Sequence, residues 1–283
     1  MSRFLTELKS LELGWRINDA YHLDDFYGII VTGRQRIGKS SYVCQGLAEA
    51  LGEWEYKPVP FCAVPDYSER MRRWLTFPPE EFIDLTLSLG VGKKERAVIW
   101  DDAGFWLFVL DWYEPFVKTV AKYIQLAGRQ FGFLLFTSPS QGMISSKVLD
   151  AMPELYVCKI VKEEKDNPHR KPRLATVYER WDYPDGRKGG VRKRWKDHYN
   201  AILPDDFWNW YKPKSDHYLD EGLKILQAEK TILRLKQTRR EKEAKGEEGE
   251  LMEKVYDVTG SPERLAEVNE VIAQLSATKS GQT

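Results

Sequence analysis

The sequence predicts an α/β protein: a mostly parallel, doubly wound sheet flanked by helices, extended by a β-hairpin and a C-terminal helical stretch. Three observations predict it. Short β-branched runs alternate with segments of helical period as far as Val161, a glycine-rich loop separates the first run from the first helix, and a turn-rich pair of extended segments follows. Strands and helices that alternate along a chain bury both faces of a sheet through parallel crossovers, which is why the pattern implies this architecture.

Met1 to Leu11 carries charges throughout, and residues 1–24 are expected to form an N-terminal extension. Tyr27 to Thr32 (YGIIVT) is a short β-branched run ended by Gly33, the pattern of a strand covered on both faces. A helix follows, with Val43, Cys44, Leu47, Ala48 and Leu51 at helical spacing and Gly52 as its C-terminal cap. Val59 to Val64 is expected as a second strand, Pro79 to Leu89 as a helix and Ala97 to Trp100 as a third strand. Phe116, Val120, Ile124 and Ala127 mark a helix closed by Gly128, and Phe133 to Phe136 and Leu155 to Val161 give two further strands.

Leu174 to Tyr183 and Val191 to Tyr199 flank PDGRKGG, the composition of a hairpin with a glycine-rich tip. Leu203 to Lys212 reads as a short aromatic helix with aspartates in its first turn, and Tyr218 to about Lys245 as a longer one with Leu219, Leu223, Leu226 and Leu233 near a heptad stripe. Gly246 and Gly249 interrupt it, and Ser261-Pro262-Glu263 opens a last amphipathic helix. The expected division is an extension (1–24), an α/β core (25–163), a basic hairpin appendage (164–202), a helical extension (203–250) and an acidic helix and tail (251–283).

With 283 residues, 42% of them hydrophobic, the chain can bury one large core with appendages. Cys44, Cys62 and Cys158 are far apart and form no metal-binding cluster with histidine, so neither a disulfide framework nor a zinc site is expected. No apolar run approaches the ~20 residues that cross a bilayer. A cytoplasmic protein is expected, in the host cytoplasm if a virus or plasmid encodes it.

The balance of 43 Lys and Arg against 43 Asp and Glu hides an asymmetry. Lys162 to Lys196 holds twelve basic residues against six acidic ones, and Glu241 to Thr283 ten acidic against five basic. The first stretch suits a polyanion, the second does not.

Gly33-Arg34-Gln35-Arg36-Ile37-Gly38-Lys39-Ser40 matches GxxxxGK[ST] between a strand and a helix. Its glycines let the loop wrap a phosphate and point backbone N–H groups at it from the positive end of the helix, which Ser41 continues. Lys39 would bridge the β- and γ-phosphates of ATP, and the Ser40 hydroxyl would be one ligand of Mg²⁺. Ala97 to Asp102 (AVIWDD) is a Walker B type segment, an apolar strand that delivers two carboxylates to the sheet edge where such folds bind ligands. Asp101 would hold Mg²⁺ through water and Asp102 would polarise the attacking water. Further on, Gly128-Arg129 precedes an apolar strand ending in Thr137-Ser138. That hydroxyl pair suits a γ-phosphate or attacking water, and Arg129 suits transition-state charge, in this site or a neighbouring subunit's.

The order GRQRIGKS, VIWDDAG, IQLAGRQFGFLLFTSPS resembles the P-loop ATPases of the FtsK/HerA superfamily, including the zonula-occludens-toxin-like and conjugation-coupling branches, over residues 25–161. Two positions depart from that pattern, Asp102 where the family has Glu and Ser138 where its glutamine falls. The resemblance implies a RecA-like core, assembly into a homo-oligomeric ring such as a hexamer, and pumping of DNA or of a nucleoprotein in a virus or mobile element. Arg187, Lys188, Arg192, Lys193, Arg194 and Lys196, interleaved with Tyr178, Trp181, Tyr183 and Trp195, are the candidate DNA contacts, against the alternative that these aromatics only pack the hairpin on the core. The Asn/Thr-Lys-x-Asp motif that reads guanine is missing after Thr137, which disfavours GTP. An AAA+-like helicase loader or protein-remodelling ATPase, and a nucleotide-gated scaffold without turnover, are the alternatives.

Overall fold

The computed structural model describes residues 11–52, 54–58, 61–65, 69–108, 115–152, 154–168, 170–181 and 189–244. The expected last helix from Ser261 and the hairpin tip at 182–188 lie outside these residues, as does the acidic tail.

The chain runs α1 (Glu12–His22), β1 (Tyr27–Thr32), α2 (Lys39–Ala50), β2 (Trp54–Pro58), β3 (Phe61–Pro65), α3 (Glu69–Arg72), β4 (Leu75–Thr76), α4 (Pro79–Leu89) and β5 (Glu95–Trp100). It continues through α5 (Ala103–Trp106), α6 (Pro115–Ala127), β6 (Phe131–Ser138), α7 (Ser146–Asp150), β7 (Leu155–Lys162), β8 (Pro172–Trp181), β9 (Gly190–Asn200) and α8 (Asp205–Ala244). Seven strands form one sheet in the order β4-β5-β6-β1-β7-β8-β9. The first five are parallel and the last two are joined antiparallel. This is the α/β, RecA-like arrangement expected of the core, with β1 at the centre and β6 between it and β5.

The buried positions explain the layering. All eight residues of β6 are buried, as a strand with neighbours on both edges and helices on both faces requires. On one face α1 and α2 cover the sheet; Tyr42 packs against Tyr199, and Arg16 lies over the Trp195 ring. On the other, Trp100 is fully buried among Phe82, Phe116 and Phe136, so α4 and α6 close around it. The two helices of the first face approach closely at Gly46, where a Cβ would stand 2.5 Å from Leu13 Cδ2.

Four expectations are corrected. The N-terminal stretch contains α1, whose Leu13, Ile17 and Ala20 are buried at helical spacing. The segment Val59 to Val64 is not a strand of the main sheet: β2 and β3 pair with each other as a separate two-stranded ribbon. The hairpin is not set apart as an appendage, because β8 pairs with β7 along Tyr156 to Lys162 and so continues the sheet. The two helices expected after Leu203 are one, α8, which passes through Pro213. A proline removes one amide donor and crowds the preceding turn, but helix-forming sequence on both sides carries the helix across it.

The described residues divide into two units, those up to Trp210 and those from Tyr211. The first holds the sheet and its helices. In the second, the described part of α8 carries ion pairs one turn apart, Lys212 with Asp216 and Lys224 with Asp220.

Candidate nucleotide site

The C-terminal edges of three adjacent strands bring the site together. β1 leads into the loop at Gly33, β5 ends beside Asp101 and β6 ends at Thr137-Ser138. The loop's backbone needs glycine at Gly38, whose φ is 107°, and it also holds Arg36 in the left-handed region at 58°. Lys39 is buried and its Nζ donates to the carbonyls of Gly33 and Arg34, both at 3.3 Å, folding the loop back over the start of α2. Burial lowers the Lys39 pKa below that of an ordinary lysine, against the opposing pull of Asp102 and Asp101. Arg34, Gln35 and Arg36 are exposed along the loop's crest, while Ile37 is buried.

Asp101, with no exposure to solvent, joins the three strand ends. Ser40 Oγ donates to its Oδ1 at 2.9 Å and Thr137 Oγ1 donates to the same oxygen at 2.5 Å. The Thr137 hydroxyl also accepts from the Asp102 N–H at 2.8 Å. The loop hydroxyl and the strand carboxylate thus meet at one point, the arrangement that would hold a hard divalent cation between oxygen ligands.

Asp102 differs from its neighbour. It sits at φ 51°, ψ 31°, a left-handed conformation that Asp and Asn adopt more readily than other non-glycine residues. Its side chain reaches solvent at the mouth of the site, yet the surrounding protein and then the charge of Asp101 push its pKa up to about 6, against the opposing effect of Lys39.

The other expected site residues fall differently. The Thr137 hydroxyl is committed to the two aspartates, and Ser138 donates to the Ser140 carbonyl at 2.8 Å, so the pair is engaged within the protein rather than held open toward a phosphate. Ser41 is buried and its hydroxyl donates to the Ala201 carbonyl at 3.0 Å, leaving its backbone N–H as what it offers a ligand. Arg129 is exposed just before β6, at the strand's opposite end from Thr137. An eight-residue strand spans roughly 23 Å, so Arg129 stands far from this chain's own loop.

The hairpin's basic residues divide as well. Arg187 and Lys188 lie outside the described residues. Arg192 and Arg194 both form ion pairs with Glu179, which is largely buried. Lys196 pairs with Thr176 and Lys193 with Tyr178 across the ladder, and Thr176 also pairs with Lys159 of β7. Thr176 and Tyr178 are two residues apart on one strand, so all three lysines share a face, a β-bulge absorbing Arg194. It is the face opposite α1 and α2. Trp195 is buried on the α1 side against Tyr156, and so packs the hairpin on the core instead of offering a stacking surface.

Sequence reasoning missed three residues at the back of the loop, Arg173, Tyr199 and Asp166. Arg173 Nε donates to the Ile37 carbonyl at 2.7 Å and the Tyr199 hydroxyl to the Gly38 carbonyl at 2.9 Å. Their separation of well over a hundred residues from the loop left no local signal.

No helix among the described residues is long and apolar enough to cross a membrane. No protein-family model and no curated protein matches the chain. Among solved structures, it is similar to the genome packaging NTPase B204 from Sulfolobus turreted icosahedral virus 2 in complex with ATP-gammaS, at 11% identity over 64% of this chain and 98% of that one, with a TM-score of 0.31. It is similar to the N-terminal domain of zonular occludens toxin from Neisseria meningitidis at 12% identity, over 65% and 98%, with a TM-score of 0.33. A KaiC-like protein from Pyrococcus horikoshii OT3 follows at 10% identity, over 66% and 86%, with a TM-score of 0.24. The fold assignment itself rests on this chain's strand order, its loop and its paired carboxylates.

Proposed function

We propose that this chain is an ATP-hydrolysing P-loop motor, acting on DNA as part of a homo-oligomer. The observation that carries the hydrolase reading is the junction of Ser40, Asp101 and Thr137, which ties the loop to the strand bearing two carboxylates. Loop amides and Lys39 would take the phosphates of ATP, and Ser40 with Asp101 would hold Mg²⁺, which supplies charge neutralisation at the phosphoryl oxygens. Asp102, unprotonated above its raised pKa, would accept a proton from the attacking water.

The DNA reading rests on the order of motifs shared with the FtsK/HerA ATPases and on the line of Lys159, Lys193 and Lys196 along one sheet face. Arg129, far from its own loop, is assigned to the site of a neighbouring subunit, which makes assembly part of the proposal.

The test is steady-state ATP hydrolysis by the wild type and by Lys39→Ala, with and without duplex and single-stranded DNA at one fixed salt concentration, since phosphate contacts depend steeply on salt. Turnover that rises with DNA and disappears in Lys39→Ala is expected. Turnover indifferent to DNA would point instead to a loader or protein-remodelling ATPase, and nucleotide binding without turnover to a scaffold.

A further inference from the structure

Backbone N–H groups converge on a phosphate only when the carbonyls of the same stretch of chain point away from it, and outward carbonyls that are buried must find donors. In this loop Lys39 Nζ serves the Gly33 and Arg34 carbonyls and the Tyr42 N–H serves that of Gly38, while the hairpin adds the donor to Ile37 and a second one to Gly38. Arg173, on β8, is 1% exposed and donates from Nε to the Ile37 carbonyl at 2.7 Å. The rest of its guanidinium is clamped: Nη1 and Nη2 bond the two oxygens of Asp166 at 2.5 and 3.0 Å, and Nη1 also donates to the Pro172 carbonyl. Tyr199, on β9, gives its hydroxyl to the Gly38 carbonyl at 2.9 Å, its ring held 5.2 Å from that of Tyr42.

The segment that follows β9 completes the brace. Ser41 bonds the Ala201 carbonyl, and a Cβ on Gly38 would stand 2.6 Å from Ala201 Cβ. Gly38 is therefore required twice, by its positive φ and by this approach.

We propose that Arg173 and Tyr199 are positioning residues for the nucleotide: they hold the Ile37 and Gly38 carbonyls outward so that the loop's amides face the phosphates, and they couple the loop to the hairpin. The inference rests on the reading of residues 33–40 as a phosphate-binding loop. Arg173 suits the role because its planar fork serves a carboxylate and a carbonyl at once, which a single ammonium cannot do with the same geometry. Tyr199 suits it because deleting one hydroxyl leaves the ring's packing in place.

The experiment measures ADP affinity by titration calorimetry and kcat and KM for ATP, on the full chain, for the wild type, Arg173→Lys and Tyr199→Phe. All are assayed well below each variant's nucleotide-free melting midpoint. Loss of a charged donor should weaken ADP binding about ten- to a hundredfold in Arg173→Lys, and loss of a neutral one about three- to tenfold in Tyr199→Phe. A purely structural role would lower the melting midpoint and leave the affinity of the folded protein alone. Should Arg173→Lys not fold, Tyr199→Phe decides. Wild-type ADP binding with variants within twofold of it overturns the positioning role while leaving the phosphate-loop reading intact. No ADP binding by the wild type overturns the phosphate-loop reading, and the positioning role with it.

Discussion

Replacing Thr137 by valine keeps the branched shape of the side chain and deletes one hydroxyl. That hydroxyl donates to Asp101 Oδ1 and accepts from the Asp102 N–H, at a residue with no exposure to solvent. A hydrogen bond to an ionised group contributes about 1.5–3 kcal/mol, and a buried amide left without its acceptor costs about 1–3 kcal/mol. Asp101 keeps its bond from Ser40, so the upper end of the combined range is not reached and a loss of about 3 kcal/mol is expected. For a domain of this size each kcal/mol moves the melting midpoint by about 2–4 °C, which gives a fall of roughly 6–12 °C. Thermal and urea denaturation of nucleotide-free protein, followed by circular dichroism, measure it. Thr137→Ser is the control, since it keeps the hydroxyl and loses only a methyl. If valine lies within about 0.5 kcal/mol of the wild type, inside the usual scatter of neutral substitutions, or if serine is the worse of the two, the hydroxyl does not hold the two aspartates and the reasoning fails.

Four further outcomes are expected. Asp102→Asn should lower kcat by about 10²- to 10⁴-fold, the usual contribution of a general base, and should not lower the melting midpoint, because Asn tolerates the same left-handed backbone and carries no charge to desolvate. In the wild type, kcat should rise with pH through about 6 as Asp102 loses its proton, and a flat profile there would remove it as the base. Glu49, whose pKa is raised to about 7 by burial against the lowering effect of the Leu11 N–H, favours its protonated form in the folded protein; its stabilising contribution is full below its ordinary value of 4.5 and is lost as pH rises through about 7. Glu49→Gln should flatten the fall in melting midpoint across that window, measured as a pH series. Lys193→Gln with Lys196→Gln should reduce the slope of log affinity for duplex DNA against log salt by about 2, read by fluorescence anisotropy, and an unchanged slope would take the hairpin face out of DNA binding. These two lysines are a cleaner probe than Arg192 and Arg194, whose removal would strand Glu179.

The parts legible in the sequence are those whose physics is local. YGIIVT followed by GRQRIGKS declares a strand, a loop and a helix within fifteen residues, and VIWDD declares a buried strand with carboxylates at its end. What was not legible depends on distant partners. The start of α1 lacks a capping side chain of its own. Its Glu12 and Leu13 N–H groups are taken by Asp197 from β9, and the Leu11 N–H by Glu49 from α2. Asp197, one acid within a basic run, carried no sign that it would be buried as a cap that also accepts from Tyr42. Thr137 was legible as a hydroxyl at a strand end; its commitment to two aspartates was not, because strand order decides it, and β6 lies beside β5 only in the folded sheet.

That strand order also explains why two adjacent aspartates suit different tasks. Asp101 directly follows β5, and its carboxyl, without access to solvent, is fixed by hydroxyls from the loop and from β6. A group so held changes position little and fits the constant task of a metal site. Asp102 is one residue further, where the chain turns left-handed into α5, and its carboxyl emerges at the mouth with no hydrogen bond among the described residues. A proton acceptor needs that freedom and a pKa near the working pH, and the charge of Asp101 helps to provide the second. The left-handed backbone bears on the choice of residue, since it favours the short side chains of Asp and Asn over longer ones. The proposed proton transfer would draw on both features of Asp102, its exposed and unbonded carboxyl and its raised pKa, and it fails if either the Asp102→Asn rate or the pH profile is unchanged.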